Sequence, residues 1–505
     1  MNANIAGFLR ASAERDPEGI CLISGGDRLT WQAVDRAVDV LASALVQRGL
    51  HAGDRVALLL GNSVEFVIAY YGIARAGLVC VPLNPAYTVA EVAVLLADSG
   101  ARLLLVQEST RSVGEESAEA LPGCEVIAVG SSAWRDLLAS GEGSVLAEPA
   151  TSGDALALLL FTAGTSGRPK GAMLTHGALR ANIEMLRSLD NPAAVRADDV
   201  VLLVLPMFHV YGLNTALGLA VSAGATIVLS DRFDPQESLA MIREHGVTSV
   251  PGAPAMFAAW SRVPGARDAL ASVRLMSSGG SPLPVPVLEQ FREQTGRAIF
   301  EGYGMTETAP VVATTLVSGE PRPGSVGRPL PGVEVRLVDE AGGEVDEGDP
   351  GELWVRGPSV FRGYWPHGEG GPDAEGWFRS GDVAYVDEDG DLHLVDRRRE
   401  VILVNGFNVY PREIELVIDR LEGVAETAVV GVTDDDTGEA VMALVVPRAE
   451  GSVTPEQVAD FCAQQLARFK CPTTIRIVAA LPHSATGKVA KGRLREVYGD
   501  GGFGS

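Results

Sequence analysis

The sequence predicts an α/β protein: a large N-terminal body of parallel sheets wound by helices, a β-rich subdomain appended to it, and a small α+β unit at the C-terminus. Three observations carry that expectation. Through the first half of the chain, short apolar runs alternate with amphipathic stretches of helical period. Between about Pro321 and Tyr385 the pattern changes to short β-like runs broken by PG, GG, DEGDPG and DEDGD. After Asp396 three arginines precede a fresh set of strand and helix signals.

Taken in order, a helical stretch from Leu29 to Arg48 is followed by RVALLL, and one from Ser63 to Ala76 by LVCVPL. The same rhythm recurs at ARLLLV, EVIAV, ALALLLF, DVVLLVLP and ATIVLS, each bounded by Gly, Asp or Pro. The last unit reads as strand EVILV, helix REIELVIDRL, strands AETAVVGV and EAVMALVV, and helix TPEQVADFCAQQL. These boundaries give an N-terminal domain over 1–396, a C-terminal domain over 397–498 and a tail over 499–505. That tail, GDGGFGS, has too little side chain to pack and is expected to be disordered. No tandem repeat accounts for the alternation.

A length of 505 residues calls for more than one domain at about 100–200 residues each, and 46% apolar residues suffice for their cores. The 41 Lys and Arg stand against 65 Asp and Glu, a net charge of -24, so a nucleic-acid binder is disfavoured and any anionic ligand must be held by local donors. The start has no basic region followed by an apolar one, and no apolar run approaches the ~18 residues of a membrane span. Five cysteines without a CxxC pair indicate neither a zinc knuckle nor a full disulfide framework, which makes the cytoplasm the expected compartment.

Four segments carry chemistry. FTAGTSGRPKGAMLTH, Phe161 to His176, follows an apolar run and has the make-up of a phosphate cradle. Gly164, Gly167 and Gly171 admit close backbone approach, Thr162, Thr165 and Ser166 offer hydroxyls, and Lys170 supplies charge. The spacing is not that of a Walker loop. FEGYGMTETAP, after the strand-like RAIF, offers an aromatic at Tyr303, a hydroxyl at Thr306 and a carboxylate at Glu307 suited to Mg²⁺ beside phosphate oxygens; a helix start is the plainer alternative. In the third, Phe378 to Glu415, Asp382 suits ribose hydroxyls or a simple turn, and Arg397 and Arg399 lie at the domain junction. HSATGKVAKGRLR places Lys488 beside a glycine near the end.

Occurring together and in this order from about Leu29 to Arg495, the four segments resemble the adenylate-forming superfamily of acyl-CoA synthetases, adenylation domains and firefly luciferase. The resemblance implies an enzyme that activates a carboxylic acid with ATP and Mg²⁺ to an acyl-AMP, releases pyrophosphate, and passes the acyl group to the thiol of CoA. By the same resemblance, Thr162 to Lys170 would grip the β- and γ-phosphates, Thr306 the α-phosphate, and Glu307 the metal. Gly279, Gly280, Ser281 and Pro282 would flank the adenine with Tyr303 on a ring face, and Asp382 and Arg397 would meet the ribose. Lys488 would bridge the acyl carboxylate and the α-phosphate from a mobile C-terminal domain. Arg399 occupies the hinge position, where relatives often carry Lys or Asp. The Asn405 to Val409 loop, with Gly406 and Phe407, would face the pantetheine tunnel.

In LPMFHVYGLN, His209 would border the acyl pocket. The segment has no carboxylate to pair with an α-ammonium, so amino acids are disfavoured. Ser278, Gly279 and Gly280 are small, and Val210, Tyr211, Met256, Gly302, Met305 and Val311 add apolar or aromatic walls. A medium or long fatty acid, or a bulky cyclic or aromatic one, therefore fits better than acetate or malonate. The rival readings are delivery to a carrier protein or partner enzyme, adenylation alone, and a catalytically silent nucleotide-binding regulator. A luciferase-like oxygenase would need a specialised luciferin. A serine hydrolase is disfavoured because neither Ser166 nor Ser281 sits in G-x-S-x-G.

Overall fold

The computed structural model describes residues 3–143, 151–162, 169–339, 341–346, 348–397, 400, 402–404, 407–434, 438–466, 468–483 and 489–498. The expected tail, 499–505, lies outside them. The chain forms two compact units, residues 1–334 with 355–378, and residues 335–354 with 379–505.

The first unit is built on two mixed sheets. In the six-stranded one the order is Glu125–Ala128, Leu103–Val106, Arg55–Leu59, Val79–Pro82, Leu156–Thr162 and Lys170–Thr175. Its first five strands run parallel and the last turns back antiparallel. In the nine-stranded sheet a parallel centre is formed by Ile20–Ser24, Thr226–Leu229, Val200–Leu203, Ser249–Gly252, Leu275–Ser278 and Phe300–Gly304. Antiparallel strands flank that centre at Asp27–Thr30 on one edge and at Val311–Thr314 and Arg328–Pro329 on the other. The central strands are buried on both faces, which is why the sequence shows them as apolar runs.

Helix starts follow the capping chemistry of the sequence. Thr30 accepts the Ala33 N–H at the head of Trp31–Gln47, and Ser63 accepts the Phe66 N–H at the head of Val64–Arg75. Thr88 and Glu91 form a reciprocal box at the head of Val89–Ser99, which ends at Gly100 with φ +61°.

Strand alternation divides the nine-stranded sheet into two faces. Leu202, Val250 and Met276 point into a core with Phe257, Trp260 and Phe291. The aromatic rings there meet edge to face at centroid distances of 5.4–5.8 Å. Each such fully buried side chain contributes about 1.5–3 kcal/mol. Their neighbours Val201, Ser249, Pro251, Leu275 and Ser277 point to the opposite face, which holds a cavity.

A four-stranded sheet, most of whose residues belong to the second unit, runs Glu334–Val338, Gly351–Arg356, Phe378–Val386 and Leu392–Arg397. A five-stranded sheet contains Ile402–Val404, Phe407–Val409, Val424–Asp434, Gly438–Pro447 and Thr474–Ile477. Helices Pro411–Ile418 and Pro455–Gln465 supply Ile414, Ile418, Val458 and Cys462 to the core on that sheet. Among the described residues no helix is long and apolar enough to cross a membrane.

Candidate active site

The glycine-rich segment lies between two strands paired antiparallel, Leu156–Thr162 and Lys170–Thr175. Thr162 ends one strand and is directly paired with Lys170, which begins the next, and the Thr162 hydroxyl donates to the Lys170 carbonyl at 3.4 Å. Residues 163–168 lie outside the described residues, and with them Gly164, Thr165, Ser166 and Gly167. The strand pairing fixes the two ends of that segment, and the Lys170 side chain is exposed.

Tyr303 lies within the strand Phe300–Gly304, so this strand sits further along the chain than RAIF suggests. Met305 then leads into a single 3-10 turn, Thr306–Thr308. Two fully buried asparagines hold the segment that follows. Asn214 donates to the carbonyls of Ala309, 2.7 Å, and Leu179, 3.1 Å. Asn182 donates to the Val311 carbonyl at 2.8 Å and accepts the Val311 N–H at 3.3 Å. Ala309 has φ +64°, a left-handed conformation that costs an alanine about 1–2 kcal/mol and needs such fixed partners.

A residue outside the four segments joins two of them. The Tyr364 hydroxyl donates to Glu307 Oε1 at 2.7 Å, and its ring centroid lies 5.3 Å from Lys170 Nζ. The Tyr364 segment is fastened to both neighbours through the backbone. Phe361 N–H donates to the Glu307 carbonyl at 2.8 Å, and Trp365 N–H to the Gly171 carbonyl at 2.8 Å. One oriented carboxylate beside a lysine suits a Mg²⁺ ion that takes its remaining ligands from phosphate oxygens and water. Among the described residues no group of three His, Cys, Asp or Glu forms an all-protein metal cage.

The cavity on the sheet face encloses about 870 Å³ of empty space, its mouth included. Its floor is Val201, Ser249, Pro251, Leu275 and Ser277, with Gly302 and Val311 towards the sheet edge. Its roof comes from Leu186, Leu219, Ala220 and a π-helix, Tyr211–Gly218, and Ser278, Gly279, Gly280, Tyr303, Gly304 and Met305 border it as well. His209 and Val210 line it at the entry to the π-helix, and the His209 Nδ1 lies 3.5 Å from the Tyr211 N–H. Among the described residues no Asp, Glu, Lys or Arg lines it.

Gly279 is in contact with the Tyr211 ring, where an added Cβ would come within 3.1–3.2 Å of ring carbons. Burial pushes the Tyr211 phenol up to about 12 against the Ser277 hydroxyl, so the phenol stays neutral near pH 7. Of the expected pocket walls, Met256 is the exception. It packs in the core on the other face of the sheet, because helix Pro254–Trp260 turns Met256, Phe257 and Trp260 to one side. Ser281 and Pro282 follow Gly280 just beyond the residues lining the cavity.

Within the second unit, Asp382 and Arg397 are directly opposite each other on antiparallel strands, so the two residues assigned to the ribose are register partners. The Asp382 N–H donates to the Ser380 hydroxyl at 3.0 Å. Phe407 begins the strand Phe407–Val409. Arg399, Gly406 and Lys488 lie outside the described residues.

Sequence reasoning missed Tyr364 and the π-helix. The first lies in an aromatic cluster, FRGYW, whose composition does not single it out. The second had no signal, since nothing in Tyr211 to Gly218 separates a π-helix from an α-helix.

The family profile described as AMP-binding enzyme matches residues 9–365, and the one described as AMP-binding enzyme C-terminal domain matches residues 413–488. A 4-coumarate–CoA ligase from Oryza sativa subsp. japonica is 35% identical, with 97% of this chain and 93% of that protein covered. A long-chain-fatty-acid–CoA ligase from Yersinia pestis is 33% identical, with 94% and 91% covered. The crystal structure of ATP-bound MatB from Rhodopseudomonas palustris superposes with a TM-score of 0.92 at 34% identity over 99% of both chains. The chain belongs to the AMP-binding enzymes of the adenylate-forming superfamily, among its acyl-CoA ligases.

Proposed function

We propose that the chain activates a medium- or long-chain fatty acid, or a bulky cyclic or aromatic acid, with ATP and transfers the acyl group to CoA. The cavity carries this reading. Among the described residues its lining is apolar, aromatic or small, with His209 and a few hydroxyls and no Asp, Glu, Lys or Arg, and it is bordered by the strand Leu275–Ser278 and the two glycines that follow it. A charged tail there would lose its hydration without a partner, whereas an apolar one gains about 25 cal/mol per Å².

In the first step a carboxylate oxygen forms a bond to the α-phosphorus as the bond to the β-phosphate oxygen breaks, and pyrophosphate leaves. The difficulty is bringing one anion to another. The segment between Thr162 and Lys170 would hold the β- and γ-phosphates, Thr306 the α-phosphate, and Glu307, oriented by Tyr364, the metal. Mg²⁺, when bound, would neutralise phosphate charge. Gly279 to Pro282 and Tyr303 would flank the adenine, and Asp382 and Arg397 the ribose. Lys488 would meet the acyl carboxylate and α-phosphate.

In the second step the CoA sulfur bonds to the acyl carbon, the bond to the phosphate oxygen breaks and AMP leaves. For this the domain beginning at residue 397 would rotate about Arg399 and bring Gly406 and Phe407 to the pantetheine.

A pyrophosphate-release screen with ATP and Mg²⁺ over fatty, aromatic, polycyclic and short dicarboxylic acids, each with and without CoA and read by mass, tests the reading. Sustained turnover to acyl-CoA with an apolar acid is expected. Preference for a charged-tail acid would overturn the substrate class. Accumulation of acyl-AMP that CoA does not consume would overturn the acceptor.

A further inference from the structure

The segment that carries Lys488 is flanked on both sides by side-chain contacts within the second unit, a histidine–carboxylate contact before it and ion pairs after it. On the incoming stem, His483 Nε2 lies 2.7 Å from Glu426 Oε1. On the outgoing stem, Lys491 Nζ lies 2.8 Å from Glu415 Oε1 and 3.0 Å from Glu400 Oε2. The stems are also joined to each other. His483 and Val489 form an antiparallel bridge, and the Ala490 N–H donates to the Pro482 carbonyl at 2.7 Å. Beneath them Leu481 and Leu494 are buried in one apolar cluster, against which Val489 packs.

The brace around Lys491 is the more enclosed. The Glu415 side chain is only 5% exposed, and its Oε1 also accepts the Val429 N–H at 2.9 Å. Arg412 reaches its other oxygen at 3.6 Å. A carboxylate and an ammonium so placed give little net stability, because desolvation offsets their attraction, whereas they select one geometry strongly. The two carboxylates have different origins. Glu415 belongs to helix Pro411–Ile418, and Glu400 sits in the turn directly after residue 399.

We infer that Lys491 is a positioning residue for adenylation: with Glu415 and Glu400 it fixes the point from which residues 484–488 depart, and ties that point to the turn beside the hinge. Lys488 then reaches the acyl carboxylate in one register, and segment and hinge turn move together. This rests on the assignment of Lys488 to adenylation given above.

The test separates the half-reactions in the full-length protein. Adenylation is read by pyrophosphate exchange into ATP, and thioester formation by the consumption of supplied acyl-AMP by CoA. Lys491→Met is expected to lower the ratio of the first rate to the second by about 10²-fold, the cost of a displacement near 1 Å, and Lys491→Arg to recover most of it. In a Lys488→Ala background Lys491→Met is expected to change neither rate further, since residues acting as a unit are not additive. A ratio within twofold of the unsubstituted enzyme overturns the inference, as does a full additional loss in the double variant. If Lys491→Met does not fold, Glu400→Gln, which leaves Lys491 paired with Glu415, is read by the same ratio and the same limit. Failure of the underlying reading looks different: Lys488→Ala itself would leave adenylation intact.

Discussion

Glu307 and Lys170 come from segments far apart in the sequence and meet at Tyr364, whose hydroxyl donates to one and whose ring faces the other. A hydrogen bond to a charged acceptor contributes about 1.5–3 kcal/mol, and here it also chooses the direction of the carboxylate proposed for the metal. Tyr364→Phe is expected to raise the Mg²⁺ concentration for half-maximal pyrophosphate exchange about tenfold with little change in thermal unfolding. Glu307→Ala should shift it further, and Mg²⁺ titrations that superpose with the unsubstituted enzyme would remove both from the metal site. Asp419, at the C-terminal end of helix Pro411–Ile418, is a different case. Burial pushes its carboxyl up to about 6, against the pull of Thr427 and Arg412. A folded pKa above the unfolded one means the group favours the fold at low pH and loses that contribution as pH rises from about 4 to 6. Asp419→Asn keeps the neutral form, so it should stabilise by about 1–3 kcal/mol at pH 7.5 and by much less at pH 4.5. Urea unfolding at the two pH values reads the difference, and an equal gain at both would show that the carboxyl does not titrate in this range.

The roof of the cavity depends on one unusual element, the π-helix Tyr211–Gly218. Its wider winding is compatible with Gly212 lying against the preceding loop. A Cβ there would come within 2.3 Å of the Pro206 carbonyl oxygen and 3.0 Å of that of Leu205, both backbone atoms with no freedom to move aside. Gly212→Ala should therefore cost about 1–3 kcal/mol and shift Tyr211. A fall in kcat/KM of at least about tenfold for bulky acids is expected, and unchanged rates and melting would show that this winding does not shape the cavity. The π-winding was not legible in the sequence, because Y-G-L-N-T-A-L-G would fit an α-helix equally well. The ordinary elements were legible: Thr30, Ser63 and Thr454 cap the helices that their positions announce, and the apolar runs became the parallel strands. Met256 was misjudged because composition says only that a side chain is apolar, and the choice between core and cavity is made by the helix face. Tyr364 was missed for the converse reason: its role depends on a chain crossing that links residues 170, 307 and 364, and no local period encodes that.

At the scale of the whole molecule, a chain of net charge -24 is proposed to handle two polyanions, ATP and CoA, in succession. Bulk charge repels both, so local positive groups must hold them, and on the proposed cycle Lys488 is present in the first step and withdrawn in the second. On the proposed cycle the two half-reactions therefore differ in what they ask of residue 399. Adenylation needs Lys488 to arrive, and thioester formation needs the same domain to rotate away, which requires the backbone at the hinge to change its dihedral angles. Proline holds φ near -65° and so restricts that change while leaving the lysine itself in place. Arg399→Pro is expected to keep pyrophosphate exchange within about threefold and to slow the consumption of supplied acyl-AMP by CoA by about 10² or more. Lys488→Ala should give the reverse pattern, losing exchange by orders of magnitude while thioester formation persists. The pair discriminates where single variants do not, because general damage to the fold lowers both half-reactions together. If Arg399→Pro instead abolishes exchange and spares thioester formation, the hinge acts in the first step and the proposed order of movements is wrong.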